Sequence, residues 1–164
     1  MGTIRVQIST YEGNAAWEFP MKDSVLADKL QSMGCGQEIP ISSVIWPSGL
    51  NMLNGLMVDA DELNFLAKSI ERYNESEFDR FIAAANELKS PDVAELINLS
   101  FNLEHYSLVT DVTDLAKIGK DHLLDMRGCI TAKESATLDF AEIGRNLLTS
   151  GKGIPTDYGL LFEN

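Results

Sequence analysis

The chain reads as an α+β protein, with two mixed α/β segments on either side of an acidic helical one. Three observations predict this. Hydrophobic residues alternate with a period of two near the start, the spacing becomes helical after residue 58, and mixed patterning returns after residue 101. The chain has 164 residues and 45% hydrophobic content, enough for one domain or a few small ones packed together. The expected parts are a small β-sheet-plus-helix domain over 1–57, an acidic helical domain over 58–101 and an α+β domain over 102–164.

Thr3-Ile4-Arg5-Val6-Gln7-Ile8-Ser9 alternates as a half-buried strand does. Tyr11-Glu12-Gly13-Asn14 supplies a turn. Ala16-Trp17-Glu18-Phe19 returns as a second strand, stopped by Pro20. Asp23 or Ser24 caps a helix over about 24–33, with Val25, Leu26, Leu30 and Met33 on one side and Gly34 at its end. Ile41–Trp46 is the next strand, bounded by Pro40 and Pro47-Ser48-Gly49.

Asp59, with Glu62 three residues on, forms an acidic version of a capping box ahead of Leu63, Phe65, Leu66, Ile70 and Tyr73. Ser76 opens a second helix carrying Phe78, Phe81, Ile82, Ala85 and Leu88. Ser90-Pro91 opens a third with Val93, Leu96 and Ile97, proline being suited to a first helical turn. His105–Val109 fits a short strand, Asp111 or Thr113 starts a helix through Leu123, and Leu138–Leu148 gives another. Tyr158–Phe162 is expected as a final edge strand.

The formal charge is −12, and its distribution is uneven. Residues 59–125 hold 15 Asp/Glu and 6 Lys/Arg, a net of −9, while the flanking segments carry −2 and −1. Such a field repels nucleic acid and attracts basic protein surfaces, so direct nucleic-acid binding is disfavoured. Acidic helices also serve simply as solvated faces, which is the plain alternative. No apolar run is long enough for a membrane span. The opening Met-Gly-Thr-Ile-Arg-Val has no apolar leader core, and Cys35 and Cys129 are isolated thiols, so a reduced, cytoplasmic setting is expected.

Catalytic and metal-binding patterns are missing from the sequence. His105 and His122 have no partner at zinc-ligand spacing, and His122 is expected to be a half-buried structural residue. Gly151-Lys152-Gly153 is too short for a phosphate loop and reads as a turn. Asp59-Ala60-Asp61-Glu62 lacks the downstream ligands of an EF-hand and suits a helix start, where carboxylates offset the positive dipole end. No cofactor, metal or enzymatic activity is therefore expected.

Asp139-Phe140-Ala141-Glu142-Ile143-Gly144-Arg145-Asn146-Leu147, a glycine-bearing turn and Tyr158-Gly159-Leu160-Leu161-Phe162 together resemble the end of ArdA-type antirestriction proteins of plasmids and conjugative transposons. Asp61-Glu62-Leu63-Asn64-Phe65-Leu66-Ala67 is similar to the opening of that family's middle domain. Ile97-Asn98-Leu99-Ser100-Phe101-Asn102-Leu103, with Tyr106 and Val112-Thr113-Asp114-Leu115, is similar to its junction into the last domain. The resemblance implies an elongated row of three small domains, a homodimer formed through the last, and a curved acidic surface that imitates DNA. It implies no catalysis, and a type I restriction-modification enzyme as the partner.

The acids expected to form the partner surface are Asp61, Glu62, Glu71, Glu75, Glu77, Asp79, Glu87, Asp92 and Glu95 in the helical segment, then Glu104, Asp111, Asp114, Asp121 and Asp125. B-DNA carries one charge per about 1.7 Å of axis, so a helix of about 20 Å would need about 12 charges to match it. Residues 59–101 hold 10 acids and 4 bases, a net of −6, near half that density unless Lys68, Arg72, Arg80 and Lys89 lie off the face. The alternative expectation is an interaction protein of mobile-element origin with the same fold and another protein partner.

Overall fold

A computed structural model describes residues 3–164; Met1 and Gly2, which begin the stretch expected to lack a leader, lie outside it. The chain is mixed α and β with two sheets, and it divides into two compact units, Met1–Phe101 and Asn102–Asn164. Among the described residues no helix is long and apolar enough to cross a membrane.

The first unit is built on a four-stranded antiparallel sheet of β1 (Ile4–Thr10), β2 (Gly13–Phe19), β3 (Glu38–Trp46) and β4 (Met57–Asp59), in the order β2-β1-β3-β4. The alternation at the start of the chain works as expected: Ile4, Val6 and Ile8 are fully buried, as are Trp17 and Phe19 on the paired strand. Ile4 faces Phe19 and Val6 faces Trp17, so the register puts the large apolar side chains of both strands on one face. β3 starts three residues earlier than its sequence pattern suggested, because the backbone of Glu38–Pro40 pairs with β4. α1 (Asp23–Ser32) buries Leu26 but leaves Val25 exposed, a narrower apolar stripe than expected.

α2 (Ala60–Glu71), α3 (Glu75–Glu87) and α4 (Val93–Phe101) follow. Asp59 caps α2 by accepting the Glu62 N–H at 3.0 Å. α3 starts one residue earlier than expected, on a complete capping box: Asn74 accepts the Glu77 N–H at 2.8 Å, and Glu77 accepts the Asn74 N–H at 2.9 Å. At α4 the expected Ser90-Pro91 start is corrected. Ser90 takes a left-handed φ of 50°, and Asp92 begins the helix by exchanging backbone-to-carboxylate bonds of 2.8 and 3.0 Å with Glu95. A carboxylate that accepts an orphan N–H satisfies the helix end more fully than proline alone can.

Two contacts tie these helices to the sheet. Trp46 stacks on Phe78 with ring centroids 5.4 Å apart. Asn64, 2% exposed, makes a two-pronged clamp on the loop after β2: its Oδ1 accepts the Met21 N–H at 2.8 Å and its Nδ2 donates to the Met21 carbonyl at 2.9 Å. Within the helices, the Tyr73 hydroxyl donates to the Ser100 carbonyl at 2.5 Å, joining the α2–α3 corner to the end of α4.

The second unit holds β5 (Tyr106–Val109), α5 (Leu115–Arg127), α6 (Ala132–Thr137), α7 (Phe140–Thr149), β6 (Ile154–Thr156) and β7 (Gly159–Glu163). The last strand is not an edge, as its pattern suggested. β7 is central in the order β5-β7-β6, its two flanks taken by β5 and by a three-residue strand too short to leave a pattern. α5 is capped by Asp114, which accepts the Lys117 N–H at 3.1 Å, and not by Asp111 or Thr113. Asp111 instead accepts the Thr113 N–H at 2.9 Å, closing the turn before the helix. α6, an exposed helix with a Thr131–Glu134 capping box, has no apolar periodicity and was not foreseen.

α5 and α7 cross with backbone against backbone. A Cβ on Gly119 would overlap the Phe140 carbonyl, and one on Gly144 would overlap the Leu115 carbonyl. Val109, Ile118 and Phe162 form the core beneath this crossing, with Leu115, Leu147, Leu148 and Leu160 packed on it. Cys35 and Cys129 are both free thiols.

Two stability predictions follow from these contacts. Asn64→Leu keeps the volume but strands the Met21 N–H and carbonyl, and should lower unfolding free energy by about 2 kcal/mol, read as a lower urea midpoint with an unchanged slope. Gly144→Ala should lower the thermal midpoint, because an overlap cost of about 2 kcal/mol or more exceeds the roughly 1 kcal/mol that alanine gains over glycine in helix propensity.

Candidate partner-binding acidic surface

The structure sorts the fourteen expected acids by what each carboxylate already does. Six have structural tasks in caps, turns or ion pairs. Glu77, Asp92 and Glu95 hold helix starts, Asp114 caps α5, and Asp121 accepts from Lys117 Nζ at 2.6 Å one turn away. Asp111 accepts both the backbone N–H and the hydroxyl of Thr113, which holds its carboxyl below the usual range. Asp61 accepts from Gln37 Nε2 at 2.7 Å and stays exposed. The expectation that all fourteen are exposed is corrected for Glu77, Asp79, Asp121 and Asp125, which are half-buried because their helix faces turn partly toward neighbouring elements.

Glu62, Glu71, Glu75, Glu87 and Glu104 are different. They are exposed, and among the described residues no hydrogen bond or ion pair engages their side chains. Glu71 and Glu87 are the last residues of α2 and α3. A carboxylate at that end faces the negative pole of the helix, an arrangement that costs a helix about 0.3–1 kcal/mol. Local helix stability therefore does not account for them.

The four basic residues of this segment do not cancel the field evenly. Arg80 is buried, 8% exposed, so its guanidinium is withdrawn from the surface. Lys68 pairs with Asp23 Oδ1 at 3.3 Å, across to the start of α1. Arg72 and Lys89 remain exposed at helix ends. The exposed balance of α2–α4 is thus more negative than the sequence sum implied, which the sequence could not show because burial of a single arginine leaves no periodic mark.

Two titrations record this environment. Burial first, then the Glu75 carboxylate, pushes Asp79 above the ordinary aspartate value. Burial, followed by the Glu77 carboxylate, pushes the Tyr73 hydroxyl up to about 12, against the pull of Arg80 and Arg72.

In the second unit Ser107, 1% exposed, lies 2.8 Å from His122 Nδ1 and accepts from Asn164 Nδ2 at 3.1 Å. Burial holds His122 below its ordinary value. The cavity beside this pair, lined also by Asp111, Lys117, Asp121 and Asp125, has a volume of about 30 Å³. That admits little more than about one or two water molecules, and the arrangement ties β5 to α5. Among the described residues no group of three or more His, Cys, Asp or Glu is placed to hold a metal ion.

Compared with protein-family models and with curated proteins, the sequence gives no match.

The raised Tyr73 value carries a pH prediction. A neutral phenol is favoured in the folded state, so its contribution is complete below the ordinary value of 10.0 and disappears as pH rises toward about 12. Stability should fall across that window, and Tyr73→Phe should flatten the fall; urea unfolding at pH 9 and pH 11.5 measures both slopes.

Proposed function

We propose that the chain is an ArdA-like antirestriction protein, an acidic protein that occupies the basic DNA groove of a type I restriction-modification enzyme and acts without catalysis. The observation that carries this reading is the set of uncommitted carboxylates on α2 and α3. Glu71 and Glu87 stand where helix stability disfavours an acid, while Arg80 is buried and Lys68 is paired. Evolution of a negative face for an outside partner accounts for both features; solubility alone does not require the withdrawal of basic charge.

The proposal includes a three-part organisation. Residues 1–57 act as a sheet-and-helix module, 58–101 as the acidic helical module, and 102–164 as the module through which two copies pair. The setting is the cytoplasm of a cell receiving a mobile element. Asp61, Glu62, Glu71, Glu75, Glu87 and Glu104 are the acids best placed to meet the partner, with the capping acids contributing to the field from fixed positions.

A second reading keeps the fold and changes the partner. It is favoured by the share of acids already spent on caps, turns and ion pairs, which leaves the free charge well below that of B-DNA at one charge per about 1.7 Å. In that case the partner is a basic protein whose surface does not bind DNA.

Titration of a purified type I restriction enzyme, with duplex DNA as competitor at two salt concentrations, separates the readings. Inhibition relieved by excess DNA and weakened by salt is the expected result, and the joint variant E62Q/E71Q/E75Q/E87Q should weaken it at least about tenfold while reducing its salt dependence. Absence of inhibition across several type I enzymes would overturn the first reading.

A further inference from the structure

The exposed faces of α2 and α4 carry an aromatic pair that the fold does not use as core. Phe65 and Phe101 are 48% and 55% exposed, with ring centroids 6.1 Å apart and planes inclined by 38°. The other aromatic pairs of the first unit each keep at least one ring in the core: Phe19 and Trp17 are both buried, Phe78 lies under Trp46, and Phe81 is fully buried against Tyr73. Phe65–Phe101 leaves about half of both rings in water, an arrangement that folding alone does not favour.

The surroundings identify what covers it. Helical spacing places Asp61 and Glu62 one turn before Phe65, and Asn98 one turn before Phe101 on α4. Lys68, one turn after Phe65, is held by Asp23 and so leaves the patch acidic. Two adjoining aromatic rings flanked by carboxylates match the anatomy of a protein-binding hot spot, in which a desolvated apolar anchor sits beside a charged rim. The charge excludes phosphate-bearing surfaces, nucleic acid and anionic lipid alike, because bringing Asp61 and Glu62 against them is repulsive.

We propose that Phe65 and Phe101 form the affinity anchor of this face, inserting into an apolar recess on a basic protein surface while the neighbouring carboxylates set orientation and encounter rate. This rests on the reading above for the identity of the partner. It adds that binding is not purely electrostatic: the rings supply a component that a nucleic-acid duplex has no means to imitate. Affinity then divides into a salt-sensitive part from the carboxylates and a salt-insensitive part from the rings.

The test titrates a type I restriction-modification enzyme with the wild-type chain and with Phe65→Ser, Phe101→Ser and Phe65→Leu at 50 mM and 200 mM salt. Serine at either position should raise the inhibitory concentration about tenfold or more at both salts, leaving the salt dependence unchanged. Asp61→Asn with Glu62→Gln should instead flatten the salt dependence. Thermal melting verifies folding, and Phe65→Leu, which keeps an apolar helix former, should melt as wild type does while weakening inhibition severalfold. If the wild type inhibits and the folded phenylalanine variants inhibit equally well, the anchor is overturned and the antirestriction reading stands. If the wild type does not inhibit, both fall. A change of oligomeric state in the phenylalanine variants with unaltered inhibition would assign the pair to contact between copies and also overturn the proposal.

Discussion

The first unit depends on the side-chain amide of Asn64. The sheet ends at Phe19, the chain turns, and α2 must be held against that turn before its outer face can be aimed anywhere. Asn64 does this by satisfying both backbone groups of Met21 from a position inside the helix. A buried amide is costly unless it is fully paired, and here the same two bonds satisfy the side chain and a loop that has no ladder partner. Once α2 is fixed, Asp59 and Glu62 mark its start, Tyr73 fastens its far corner to α4, and the outward directions of Asp61, Glu62 and Phe65 are set.

Charge in this protein is divided between internal and external use. Carboxylates at helix starts accept orphan N–H groups and gain from the positive pole, so Asp59, Glu77, Asp92 and Asp114 are accounted for by the helices they begin. Carboxylates at helix ends gain nothing of the kind. Their presence at Glu71 and Glu87, with Arg80 buried, makes the exposed face of the first unit more acidic than the helices need. The half-exposed rings of Phe65 and Phe101 add an apolar component that neither solubility nor helix formation demands.

The second unit relies on close approach. Gly119 and Gly144 allow α5 and α7 to meet at backbone distance, and the side chains around the crossing then close over Phe162 from β7. The polar cluster of Ser107, His122 and Asn164 ties β5 to α5 beside that core. A glycine in a helix interior costs conformational entropy, so both positions are maintained against helix propensity for the sake of packing.

Much of this was legible in the residues themselves. The alternation of Ile4, Val6 and Ile8 dictates a half-buried strand, because a period of two has no helical equivalent, and Asp59 with its apolar run dictates where α2 begins. The sequence also determined that the negative charge lies in the middle and that the chain carries no recognisable catalytic or metal motif. It could not disclose β4, β6 or α6, which are too short or too polar to leave a period, nor the central place of β7, since strand order is a matter of pairing between distant segments. Only the tertiary structure decided that Arg80 is withdrawn, that Asn64 is a clamp and that Phe65 meets Phe101. Each of these depends on a neighbour far away in the chain, and local pattern holds no record of distant neighbours.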